Sequence, residues 1–124
     1  MSNHDLAERG SVLPVSNIER AVDYYVTRLG FQQHYTDDDY GILSRDEVRI
    51  HIWAANKPDV SGAEPELAGT ASCRVVVDDI QAFYDELAAK DLVHPLGSIS
   101  DHPWGREFAV LDLDRNAIMV NERR

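Results

Sequence analysis

The chain has a single cysteine, Cys73, among 124 residues, so no disulfide can form within it, and the sequence fits a reducing compartment. No run of about 18 apolar residues occurs, so no transmembrane helix is expected. The first ten residues, MSNHDLAERG, lack the apolar stretch of a signal peptide, and a cytoplasmic protein is the expectation. Bases are scarce: 12 Lys and Arg stand against 22 Asp and Glu, a net charge of -10. A surface of that sign repels phosphate backbones and anionic membranes, so neither nucleic acid nor membrane is an expected partner, whereas a cationic small molecule is attracted. There is no glycine-rich phosphate loop and no helical pair of histidines four apart. His4, His34, His94 and His102 are scattered over the N-terminal tail, strand starts and loops.

What is present is a pattern that occurs twice. Ser11–Phe31 can be laid on Cys73–Val93 with an offset of 62, half the chain. Each copy opens on a short apolar run, Val12–Val15 or Val75–Val77, read as a strand. Asn17 or Asp79 follows, each suited to accept a hydrogen bond from a free N–H at a helix start. An amphipathic helix comes next, with Ile18, Ala21, Val22, Tyr25 and Leu29 on the first stripe and Ile80, Phe83, Tyr84, Leu87 and Ala88 on the second. Tyr24 and Tyr25 are read as packing residues, and Gly30 as the left-handed stop of the first helix.

Strands follow each helix. In the first half they are expected at Gln32–Thr36, Tyr40–Leu43 and Val48–Trp53, with Ser44–Glu47 as the turn between the last two. Val48, Ile50 and Ile52 alternate with Arg49, His51 and Trp53, which puts a cation, an imidazole and an indole on one face. In the second half, Gly105–Leu111 and Ala117–Asn121 pair across a turn in which Asn116 suits the left-handed position. Ala54–Thr70, with two prolines and two glycines, reads as an exposed linker, and Glu122–Arg124 as a frayed end. The fold class is therefore α+β: one domain over 1–124, made of tandem βαβββ modules at about 10–54 and 71–122. Their sheets are curved, with helices outside and a concave face within.

The segments NIERAVDYYVTRLGF, DDDYGILSRDEVRIHI and above all PWGREFAVLDLDRNAIMV resemble the vicinal oxygen chelate, or glyoxalase/bleomycin-resistance, superfamily, and within it the antibiotic-binding bleomycin-resistance proteins. The resemblance implies a homodimer, often with exchange of the N-terminal strand, and two ligand grooves at the subunit interface. It implies that a bleomycin-type drug is bound and sequestered with no chemical change and no cofactor. The family's two stacking positions fall on Trp104 and, facing it, Tyr40. The four positions from which metal-dependent relatives draw His, Gln or Glu ligands fall on Gly10, Ser72, Met119 and the neighbourhood of His51. Only His51 is a metal donor of the expected kind, and a divalent ion needs three or four.

The residues themselves fit that reading. Pro103 stiffens the chain before Trp104 and Gly105 lets it turn after, so a large flat side chain is held out at little entropic cost. Stacking a heterocycle on an aromatic ring contributes about 1–3 kcal/mol. Asp37 and Asp38 beside Tyr40 supply negative potential for a cationic tail. Trp53 and His51 line the floor, with Tyr35 a weaker candidate. Arg106 and Glu107 are expected to anchor the loop, and Cys73 to be buried and inert. The alternatives are a binder of another planar natural product and a metal-dependent lyase or dioxygenase with unusual ligands.

Overall fold

The computed structural model describes residues 11–123. Gly10, His4 and Arg124 lie outside the described residues. The first half contains β1 (Val12–Val15), α1 (Ile18–Thr27), β2 (Gln32–Thr36), β3 (Tyr40–Arg45) and β4 (Val48–Ala54). The second contains β5 (Ser72–Val77), α2 (Ile80–Ala89), β6 (Ser100–His102), β7 (Gly105–Leu111) and β8 (Ala117–Glu122). Each half makes a four-stranded sheet, β1-β4-β3-β2 and β5-β8-β7-β6. In each, the first strand runs parallel to the last and the other pairs are antiparallel. None of the described helices is long and apolar enough to cross a membrane.

The repeat is real and its two parts behave differently. Both helix ends keep the offset of 62, Ile18 to Ile80 and Thr27 to Ala89. Asn17 accepts from the Arg20 N–H at 2.9 Å and Asp79 from the Ala82 N–H at 3.1 Å, caps worth about 1 kcal/mol each. Beyond the helices the register drifts, and the second half has the longer path from helix to strand. β6 is too short and too polar to show a period, and sequence reasoning missed it.

Gly30 has φ +78, and the Phe31 N–H returns to the Tyr25 carbonyl at 2.9 Å, closing α1 as expected. A Cβ on Gly30 would collide with the Arg45 guanidinium, which donates to the Leu29 carbonyl at 2.9 Å. One apolar core runs through both halves, from Leu13, Tyr25 and Ile52 to Leu87, Phe108 and Val120. Tyr25 is fully buried and donates its hydroxyl to Asp112 at 2.9 Å; Tyr24 packs partly buried against the same core.

Four expectations need correction. The β3–β4 turn is only Asp46-Glu47, because Ser44 and Arg45 pair with Arg49 and Val48. The left-handed residue of the β7–β8 turn is Arg115, at φ 76, not Asn116. Asn116 is fully buried; its amide donates to the Pro14 carbonyl at 2.7 Å and to Asp112 at 3.0 Å, tying the second half to β1. Ala54–Thr70 is not a plain exposed linker: β4 continues to Ala54, Ala55 is fully buried, and Asn56 accepts from the Ala68 N–H at 2.9 Å. The C-terminal stretch is not frayed through Arg123. Glu122 ends β8 and holds Arg106, while Arg123 pairs with Asp78 at 2.7 Å and Glu47 at 2.6 Å.

Candidate functional site

Trp104 sits at the tip of the β6–β7 hairpin, where His102 pairs with Gly105 across a turn made by Pro103 and Trp104. Gly105 has φ +127, a conformation that side chains rarely adopt, so the turn needs glycine there. The indole is 56% exposed. Its N–H donates to the Glu107 carboxylate at 3.1 Å. The imidazole of His102 lies parallel to it, ring centroids 4.6 Å apart and planes 4° apart. Ser100 Oγ stands 2.9 Å from His102 Nε2. Glu107 also meets Arg74 at 3.5 Å, whereas Arg106 bonds Glu122 and Gln81 rather than its neighbour. Both residues anchor the hairpin, through partners on other elements.

Tyr40 opens β3 on the other sheet, directly opposite Trp53 of β4. Its hydroxyl is hydrogen-bonded to His51 Nδ1 at 2.6 Å, and the two rings meet edge to face at 5.5 Å. His51 is only 6% exposed. It therefore serves as a buried support under Tyr40, and it does not line the cavity described next. Tyr40 and Trp53 form the wall of an open trough of about 690 Å³, with Asp37, Asp38 and Asp39 on its rim and Val12, Val60 and Ser61 completing it.

The acidic run is a built turn. Asp37 accepts from the backbone N–H of Asp39 at 2.8 Å, from that of Tyr40 at 2.9 Å, and from the Tyr35 hydroxyl at 2.5 Å. The Tyr35 hydrogen bond is the main reason that the Asp37 carboxyl stays below its usual range, with the Asp39 backbone bond next. The same bond raises the Tyr35 phenol. Asp39 pairs with Lys57 at 2.6 Å. Asp37, Asp38 and Asp59 also lie close enough to Lys57 to act on its ammonium group.

The structure brings Tyr40, Trp53, Asp37 and Asp38 to one cavity, with Tyr35 attached through Asp37. Trp104 and Gly105 lie on the other sheet and do not line that cavity within one copy. Sequence reasoning missed Asp39, Val12, Val60 and Ser61 as lining residues. It also missed His102 as the support of Trp104, because their contact is made within the two-residue turn, where strand alternation does not apply. Cys73 is partly buried, and desolvation pushes its thiol up to about 11, far from a reactive thiolate. Ser72 is exposed and Met119 half-buried on neighbouring strands of the second sheet. Among the described residues no three His, Cys, Asp or Glu side chains converge as a metal site.

A second, more enclosed cavity of about 500 Å³ lies at the seam between the halves, walled by Leu29, Phe31, Val48, Val75, Phe83 and Val120. Arg45 spans its mouth, pairing with Glu86 at 2.6 Å and lying 4.4 Å over the Phe83 ring. None of the ligand-binding residues expected from the sequence lines it.

Two βαβββ units, each with an open curved sheet and an outer helix, define a paired-module protein of the vicinal-oxygen-chelate kind. A family model described as the Glyoxalase/Bleomycin resistance protein/Dioxygenase superfamily matches residues 8–120. The chain belongs to that superfamily. It is 38% identical over 117 residues to a bleomycin resistance protein of Geobacillus stearothermophilus, covering 86% of this chain and 89% of that one. Among solved structures it is similar to the bleomycin-binding protein of Streptomyces verticillus in complex with copper(II)-bleomycin. There the TM-score is 0.72 with 23% identity, covering 92% of this chain and 93% of that one. A bleomycin resistance determinant encoded on the transposon Tn5 gives a TM-score of 0.73 with 21% identity, covering 92% and 95%. The last two likenesses show the fold.

Proposed function

We propose that this protein binds a planar, cationic antibiotic of the bleomycin type and sequesters it without altering a bond. It does so as a homodimeric cytoplasmic protein, each copy one domain of two modules. Tyr40 of one copy and Trp104 of the other take the two faces of the flat part of the guest. Trp53 lines the floor, and Gly105 sets the turn that displays Trp104. The carboxylates of Asp37 and Asp38 receive the cationic tail; Asp38 is the more available, because Asp37 is engaged in its own turn.

The observation that carries this reading is Trp104. A tryptophan braced by His102 and Glu107 on a hairpin tip still leaves 56% of its surface open to solvent. A flat apolar face of that kind is what a stacking site requires. The 38% identity to a bleomycin resistance protein over most of both chains supports the choice of guest.

Titration of metal-free bleomycin into the protein, followed by tryptophan fluorescence, tests the proposal. Saturable quenching at micromolar drug is expected, with one site per copy. Absence of quenching from a well-folded dimer, its mass checked by sedimentation, rejects the guest.

A further inference from the structure

We infer that His102 is a positioning residue for the Trp104 platform: it closes one face of the indole, so that a flat guest stacks only on the other. This rests on the antibiotic-binding reading for the identity of the guest. The geometry of the pair stands without it.

The parallel rings, 4.6 Å apart by their centroids, occupy one face of the indole. The exposed area of Trp104 therefore belongs to its opposite face and its edges. Neither ring is free to swing: Ser100 Oγ holds His102 Nε2, and Glu107 takes the indole N–H. A guest on the open face completes three layers, imidazole, indole and guest.

The test compares wild type, His102→Phe and His102→Ala at one fixed pH, with metal-free bleomycin as the probe and calorimetry as the readout. Phenylalanine keeps the stack and should bind within about twofold of wild type, whereas alanine removes it and should bind about threefold or more weakly. In parallel, the indole N–H cross-peak of Trp104, assigned by its loss in Trp104→Phe, should lose the ring-current shift of its neighbour in His102→Ala and keep one in His102→Phe. An alanine variant with wild-type affinity, or an indole signal that alanine leaves unmoved, overturns the inference. If bleomycin fails to bind all three proteins while the indole signal still follows the aromatic neighbour, the antibiotic reading falls and the positioning role stands.

Discussion

Tyr40 and Trp104 are each supported by a histidine, in opposite ways. His51 meets Tyr40 edge to face, bonds its hydroxyl at 2.6 Å and is almost wholly buried. His102, itself half-buried, meets the exposed Trp104 face to face on a hairpin tip. The first ring is part of the sheet and shares its stability. The second is an appendage whose position is set by three or four local contacts. Groups that serve only a ligand can be changed at little cost to the fold; groups shared with the core cannot.

Substitutions can break or sharpen that contrast. His51→Ala should cost about 2–3 kcal/mol in urea unfolding, from a cavity and a lost hydrogen bond under Tyr40. A change below ~0.5 kcal/mol would show that the first pair is as peripheral as the second. Trp104→Ala should leave unfolding within ~0.5 kcal/mol of wild type and weaken bleomycin binding by tenfold or more, about 1.4 kcal/mol of lost stacking. An unchanged dissociation constant by fluorescence from Trp53 removes Trp104 from the site.

Tyr25→Phe serves as a control behind both rings. It should cost about 1 kcal/mol at pH 7 and leave drug affinity as it was, because Asp112 loses one donor far from the trough. Burial, then the Asp112 charge, raises the Tyr25 phenol well above its usual value. A raised phenol contributes stability that is complete below the unfolded pKa of about 10 and declines as pH rises through the folded value. Unfolding midpoints at pH 7 and pH 10.5 should therefore diverge less in Tyr25→Phe than in wild type. The smallest effect is expected for Tyr40→Phe, which keeps the ring and loses the bond to His51. Stability should fall by about 1 kcal/mol or less, and calorimetry should show affinity within about threefold of wild type.

The sequence made the appendage legible and the support obscure. Proline, tryptophan and glycine in succession have few uses other than display, and the indole is indeed exposed. Alternation along β4 correctly put His51 and Trp53 on one face. Alternation says which way a side chain points and nothing of what covers it, so it could not tell that His51 is buried while Trp53 is only half so. Asn116 misled for a related reason. Its turn propensity is genuine, but its amide is needed inside, and Arg115 takes the left-handed position instead. The strap after β4 looked like a linker because glycine and proline mark turns whether or not those turns pack. The burial of Ala54 and Ala55 depends on contacts distant in sequence. The floor and rim of the trough, Val12, Val60 and Ser61, were unreadable because they meet only when β1 and the strap come together.

The carbonyl of Pro14 is gripped from two directions, by the amide of Asn116 at 2.7 Å and by the backbone of Gly69 at 3.1 Å. A nick at the exposed Ser61-Gly62 bond leaves both clasps on one fragment and their acceptor on the other. Such halves carry a built-in address for reassembly, since sliding by one residue turns the amide toward a carbon with nothing to offer it.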